Sequence, residues 1–415
     1  MYFGWYIVGA GFLISLYVSG SINLGFTAVF EPIAKDFGWS YTQISFAASL
    51  RGLETGLLAP VAGILMDRWG PRRLILGGAL LNGLGLMLLS RITSLTMFYA
   101  AFFLIAAGVS TATTGLLTAM VAKWFRKKAG FAMGITASGV AFGGLLIPLI
   151  TFLIDSFGWR CAMMIVGLGM WAIPLPLSLI LRHKPEQYGY LPDGKENGSG
   201  FDEVHANPKN KQEIDINTKA ALSSLTFWII AVAFFCHIMP LSAVLTHIMP
   251  YLSSIGIERS TASLIASALP LLTVIGRIGF GWLGDRLDKG SVTALSFAMT
   301  SLGVFLLGLV AAGRFWVIVA FIIILSIGWG GAIPMISGLL REYFGRQRLA
   351  TIVGFAGSVM MVGMMVGAPL AGWVFDKWGC YQPAWFFLAG VVGLSAIVFY
   401  ACLNSRSMQK LAMNQ

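Results

Sequence analysis

The stretch from Gly63 to Arg73, GILMDRWGPRR, constrains the fold more than any other part of the chain. An apolar run ends there in Asp67-Arg68, turns at Gly70-Pro71, meets Arg72 and Arg73, and is apolar again within a few residues. So short and basic a reversal fits the cytoplasmic end of two helices that cross a bilayer, where positive charge collects. It leaves no room for a soluble insertion, so the flanking segments must pair as an antiparallel hairpin with their backbone bonds satisfied internally. A weaker copy recurs at Gly281-Trp282-Leu283-Gly284-Asp285-Arg286-Leu287-Asp288-Lys289. Two copies of one loop imply two copies of one bundle.

Composition decides the same way. Of 415 residues, 57% are hydrophobic and 11% charged, too few charges to cover a soluble surface of that size. The apolar runs reach the roughly 20 residues that hydrocarbon requires. Of the 28 lysines and arginines, twenty gather in Gly63–Arg73 and the other segments on its side, six fall in the opposite loops, and Arg51 and Arg277 lie inside helices. The net charge of +11 therefore records topology. It predicts both termini on the cytoplasmic side of the cell inner (plasma) membrane, and no basic face with stacking aromatics points to nucleic acid. No cleavable leader is expected, since the first basic residue is Lys35.

Twelve apolar runs predict an all-α polytopic membrane protein with twelve transmembrane helices in two six-helix bundles. Helices 1 to 6 span about 4–30, 41–67, 72–89, 97–122, 129–155 and 159–182. Helices 7 to 12 span about 222–252, 261–284, 291–312, 315–340, 350–375 and 381–403. Residues 1–182 form the first bundle and 220–415 the second, and the polar segment 183–219 reads as a cytoplasmic linker. The halves also match in detail. Trp124-Phe125 corresponds to Tyr343-Phe344, Gly134 to Gly354, and Ser138 to Ser358. The set Pro148, Asp155 and Gly158 returns with identical spacing as Pro369, Asp376 and Gly379. Parallel repeats of this kind hold a substrate near mid-membrane between the halves.

Polar residues inside the spans are the candidate site. Asn23 and Thr27 share a face of helix 1, as packing bonds or as cavity lining. Arg51 and Glu54 lie three apart in helix 2, as a structural ion pair or as coupling residues. Helix 4 carries Ser110, Thr111, Thr113, Thr114 and Thr118; Thr114 is the candidate lining residue. In helix 7, His237 and His247 each stand near a proline, as proton carriers, donors to substrate or packing groups. Arg277 in helix 8 has no acid four residues away on either side and presents a planar fork of donors to an anion. Trp329 and Pro334 in helix 10 shape the cavity between the halves. Cys161, Cys236, Cys380 and Cys402 have no paired spacing and are expected as free thiols. No cofactor or metal is expected, and neither HExxH nor GxSxG occurs, so the chain does not read as an enzyme.

On these residues the chain resembles the major facilitator superfamily over its full length. Gly63, Asp67, Arg68, Gly70, Arg72 and Arg73 match that family's loop between helices 2 and 3, with Pro71 at a position often basic. The resemblance implies a conformational switch at this loop centred on Asp67, with Asp285 and Arg286 as the weaker second copy. A finer resemblance is to the monocarboxylate transporter and oxalate-formate antiporter branches. It rests on Gly4-Trp5, on Trp124 to Ala132, on Phe157-Gly158-Trp159-Arg160 and on Pro185 to Gly194. That branch implies carboxylate binding by Arg277. Thr273 replaces the aspartate that proton-coupled relatives carry one turn earlier, and helix 11 lacks the lysine of oxalate exchangers. The expected function is secondary transport of a small organic anion, a monocarboxylate, with protons or a counter-anion. The alternative is a same-fold carrier of a drug or neutral solute, with Arg51 and Glu54 as a coupling pair.

Overall fold

Hydrocarbon offers a backbone N–H no partner, so a chain this apolar satisfies its amides along its own axis. The computed structural model describes residues 2–47, 49, 65, 68–111, 114–125, 128–182, 218–311, 314–345 and 349–404. Among the described residues, eleven helices are long and apolar enough to cross a membrane. Helices 1, 3, 4, 5 and 6 are Phe3–Phe37, Pro71–Ser90, Leu95–Thr118, Phe131–Phe157 and Trp159–Ile180. Helices 7 to 12 are Leu225–Ser254, Arg259–Arg286, Lys289–Gly308, Phe315–Phe344, Thr351–Trp378 and Gln382–Cys402. Helix 2 is described over 41–47, where it is helical. Most of the rest of it, with Arg51, Glu54, Gly63 and Asp67, lies outside the described residues, as does the expected linker 183–219 up to residue 217, its last two residues opening a short helix, Thr218–Ser223.

Local chemistry sets the ends. Ser224 accepts from the Phe227 amide at the start of helix 7, and Asp288 accepts from the Ser291 amide at 2.7 Å to start helix 9. Pro71 occupies the first position of helix 3, where its missing N–H costs nothing. Helices 5 and 11 finish alike: Gly158 and Gly379 adopt φ of 79° and 67°, and each donates at 2.8 Å to the carbonyl four residues back.

The packing repeats as the sequence does. Helix 1 lies on 5 as 7 lies on 11; helix 3 lies on 4 and 6 as 9 lies on 10 and 12. Large apolar side chains such as Phe315, Trp316, Ile278 and Ile397 stay about 70% exposed on the outer surface, as lipid contact demands. Two glycine crossings bring backbones close. On helices 1 and 5, a Cβ on Gly20 would fall 2.4 Å from the Gly143 carbonyl oxygen. On helices 8 and 10, a Cβ on Gly330 would fall 2.1 Å from the Thr273 oxygen, and one on Gly276 would fall 2.3 Å from the Ile327 oxygen. A backbone oxygen cannot swing aside as a side chain can. Gly330→Ala is therefore expected to destabilise the protein by about 1–3 kcal/mol through overpacking. Gly279→Ala, whose new Cβ meets nothing within 4 Å, should not lower stability; thermal unfolding in detergent separates the two.

Candidate functional site

Arg277 sits on the face of helix 8 two turns beyond Pro270. Pro270 and the Ser267 carbonyl lean on Gly144 of helix 5, where a Cβ would meet them at 2.6 and 2.9 Å. Helix 8 thus touches the first half at mid-membrane, about 10 Å along its axis from Arg277. The guanidinium is half-buried, and its Nε is buried with no hydrogen-bond partner among the described residues. Thr273, one turn earlier, donates to the Pro270 carbonyl at 2.6 Å and so serves its own helix. The Gly276 and Gly330 crossing brings helices 8 and 10 together at this level, and Trp329, half-buried, is next to that contact.

Asn23 is half-buried on a π-helical segment, Ser19–Leu24, that closes with Gly25 N donating to the Gly20 carbonyl at 2.7 Å. Such a bulge re-aims side chains within a helix. Thr27, its expected companion, is instead buried and accepts from the Met249 amide of the other half at 3.1 Å. Thr114 opens the second part of helix 4, and its side chain lies outside the described residues. His237 is separated from these residues. It is buried within the second half, with Nε2 3.1 Å from Thr300 Oγ1 of helix 9 and its ring stacked on Phe297 at 4.6 Å. Its hydrogen bond and its stacking partner both lie inside the second bundle. Arg68 and Arg72 are exposed beside Gly70. Asp285 and Arg286 are exposed at the end of helix 8, Arg286 lying 4.1 Å over the Trp282 ring. The four cysteines are free thiols.

The structure adds a seal that residue-type reasoning passed over. Among the described residues, every hydrogen bond and ion pair between the halves lies from mid-membrane toward the turns at 38–40, 158, 255–258 and 379–381, the distal side. The basic loops occupy the other side. Helix 2 starts with a capping box: Ser40 Oγ accepts from the Gln43 amide at 3.2 Å, and Gln43 Oε1 accepts from the Ser40 amide at 3.0 Å. The amides of Tyr41 and Thr42 remain, and both donate at 2.9 Å to the Asp376 carboxylate of helix 11, which also accepts from the Thr42 hydroxyl. A negative charge at a helix N-terminus is favourable in itself. Asp155, the repeat counterpart of Asp376, reaches the start of helix 8 instead. Its Oδ1 lies 2.7 Å from Arg259 Nε as an ion pair rather than an aligned hydrogen bond, and Arg259 also donates to the Ala28 carbonyl. The Pro, Asp and Gly repeat was the available signal for both aspartates.

Two helical repeats in parallel, hydrogen-bonded to one another on one side, are the plan of a multi-pass carrier of the secondary-transport type. The family model for the Major Facilitator Superfamily matches residues 10–287 and 242–410, and the chain belongs to that superfamily. Its twelve-helix fold follows. Monocarboxylate transporter 12 of Rattus norvegicus is 26% identical over 93% of this chain and 82% of that protein. Monocarboxylate transporter 13 of Bos taurus is 25% identical over 97% and 91%, and monocarboxylate transporter 2 of Homo sapiens is 25% identical over 99% and 87%. The fold matches a crystal structure of a bacterial homologue of the human lysosomal transporter Spinster, inward-facing and unoccupied, with a TM-score of 0.69 at 16% identity over 96% of both chains.

Removing the Asp376 carboxylate takes the cross-half cap from helix 2, worth about 1 kcal/mol or fivefold in the sealed population. In a variant lacking the native cysteines, Ser49→Cys, whose parent hydroxyl donates to the Met365 carbonyl, reports the seal. Adding Asp376→Ala is expected to raise its labelling by an impermeant thiol reagent from the distal side about fivefold.

Proposed function

We infer that the protein moves a small organic anion, a monocarboxylate, across the cell inner (plasma) membrane by alternating access, with Arg277 as the carboxylate-binding residue. One observation carries the reading: a guanidinium in the mid-membrane region whose buried Nε has no partner among the described residues. A cation at that depth is expensive alone, and an anion that pairs with it removes part of the penalty. The guanidinium fork meets a carboxylate through two parallel bonds. Relatives named monocarboxylate transporters, matched over nearly the whole chain, support the same cargo class. A proton or a second anion completes the cycle. Asn23, on its π segment, and Trp329, at the glycine crossing, are the residues proposed to flank the bound anion.

Positive charge collects on the cytoplasmic side, so the basic loops and both termini are assigned there. The sealed distal side then faces out, and the molecule is inward-facing. Asp67, with Asp285 and Arg286, is assigned to the cytoplasmic latch that would form when the halves rock the other way.

Carboxylates that bind the folded form raise its melting temperature. A panel of lactate, pyruvate and formate against uncharged analogues is expected to stabilise the wild type selectively. Arg277→Ala should weaken that effect about ten- to a hundredfold in concentration, the loss of a charge-assisted bidentate contact. Vesicle uptake of the same acids unchanged in Arg277→Ala would reject the assignment. Topology is checked separately: the exposed Cys161 thiol should react with an impermeant reagent added outside intact cells.

A further inference from the structure

His247 lies at the centre of the distal seal, fully buried, one turn before Tyr251 on helix 7. Its ring is caged by Phe30 at 4.8 Å, by Tyr381 at 5.4 Å and by Tyr41, parallel within 11° at 6.4 Å. The hydrogen bonds assign its protons. Nε2 lies 2.9 Å from the Ala368 carbonyl oxygen, which can only accept, so Nε2 carries a hydrogen. Nε2 also lies 2.9 Å from Ser45 Oγ, whose own hydrogen goes to the Tyr41 carbonyl at 2.6 Å. Ser45 therefore shares the Nε2–H as an acceptor. Nδ1 is left as the lone-pair nitrogen and takes the Tyr381 hydroxyl hydrogen at 3.0 Å. Both ring nitrogens are occupied, and the partners come from both halves: Ser45 from the first, Ala368 and Tyr381 from the second.

This arrangement accommodates the neutral ring alone. A second proton, on Nδ1, would face the Tyr381 hydroxyl donor to donor. Turning that hydroxyl to accept would strand its hydrogen, since among the described residues Tyr381 makes no other side-chain hydrogen bond. The charge would also be cut off from water, since the ring is fully buried. The ionisable neighbours offset it only in part: Glu31 is paired with Lys35 at 2.6 Å, and the Asp376 carboxylate, which does attract a charged ring, is held by the helix 2 amides and outweighed by the burial.

We propose that His247 is a proton-binding site built into the distal seal, such that closure of that side requires the neutral ring and a proton taken from the distal solution holds it open. Proton binding and closure are then linked, each opposing the other by the same factor. The neutral ring closes the aromatic cage, and the charged ring keeps it hydrated. This gives the carrier a direct response to distal pH without the aspartate that Thr273 replaces. The inference stands on the two-half fold and not on the identity of the cargo, so loss of the Arg277 assignment would leave it in place.

The test is hydrogen exchange of peptides covering 38–47 and 365–381 in the purified full-length protein without substrate, from pH 5 to 8, corrected for intrinsic rates. In the wild type the open fraction is expected to rise up to tenfold per pH unit below about 6.5, the ordinary value of a hydrated imidazole, until the open form dominates. His247→Gln, which cannot titrate, should abolish the pH response. Asp376→Asn should loosen the seal yet keep the response, which would vanish with that change if the carboxylate were the titrating group. Tyr381→Phe, which removes the donor to Nδ1, should move the midpoint to higher pH. A pH response that survives in His247→Gln, or one lost in Asp376→Asn, overturns the proposal. If His247→Gln aggregates on size exclusion, an undisplaced midpoint in Tyr381→Phe does so.

Discussion

Three backbone amides begin helix 2 with no carbonyl behind them, and two of the three find their acceptor only on the other half of the molecule. Ser40 covers the Gln43 amide, while Asp376 covers Tyr41 and Thr42. The contact joins helices that must part for the distal side to open. What it loses on separation is regained from water, because it lies at the membrane edge where Asp376 is exposed. A seal made of such exchanges holds without being too strong to break.

The twofold relation between the halves runs through this seal but is not copied atom for atom. Asp155 and Asp376 occupy equivalent ends of helices 5 and 11 and aim at equivalent starts, of helix 8 and helix 2. One meets an arginine side chain and the other meets bare amides. Beside Asp376 lies an aromatic layer drawn from both halves: Tyr41 of the first with His247, Phe375 and Tyr381 of the second, Tyr41 and Tyr381 stacking on Phe375 at 4.4 and 4.5 Å.

Deeper in the membrane the contrast is between His237 and Arg277. The histidine has Thr300 and Phe297 within its own bundle and asks nothing of the other half. The arginine has a buried Nε with no partner among the described residues, beside a glycine crossing that brings helices 8 and 10 into backbone contact. Polar character alone did not distinguish them. A satisfied group stabilises a bundle, whereas an unsatisfied one leaves a place for something else.

The sequence alone determined the class, because its determinants are local and additive: run length and a repeat offset of about 220 residues specify spans and a duplicated bundle with little reference to packing. It also marked Arg277, since an uncompensated charge in an apolar run is visible without a fold. Only the tertiary structure decided which polar groups had their needs met. It placed Thr27 on the Met249 amide and His237 beside Thr300, and it turned Asp376 from a repeat marker into the cap of helix 2. It also gathered Ser45, His247, Ala368 and Tyr381, residues as much as 336 positions apart, around one ring. Hydrogen bonds between halves depend on the approach and tilt of whole helices, and no window of sequence carries that distance.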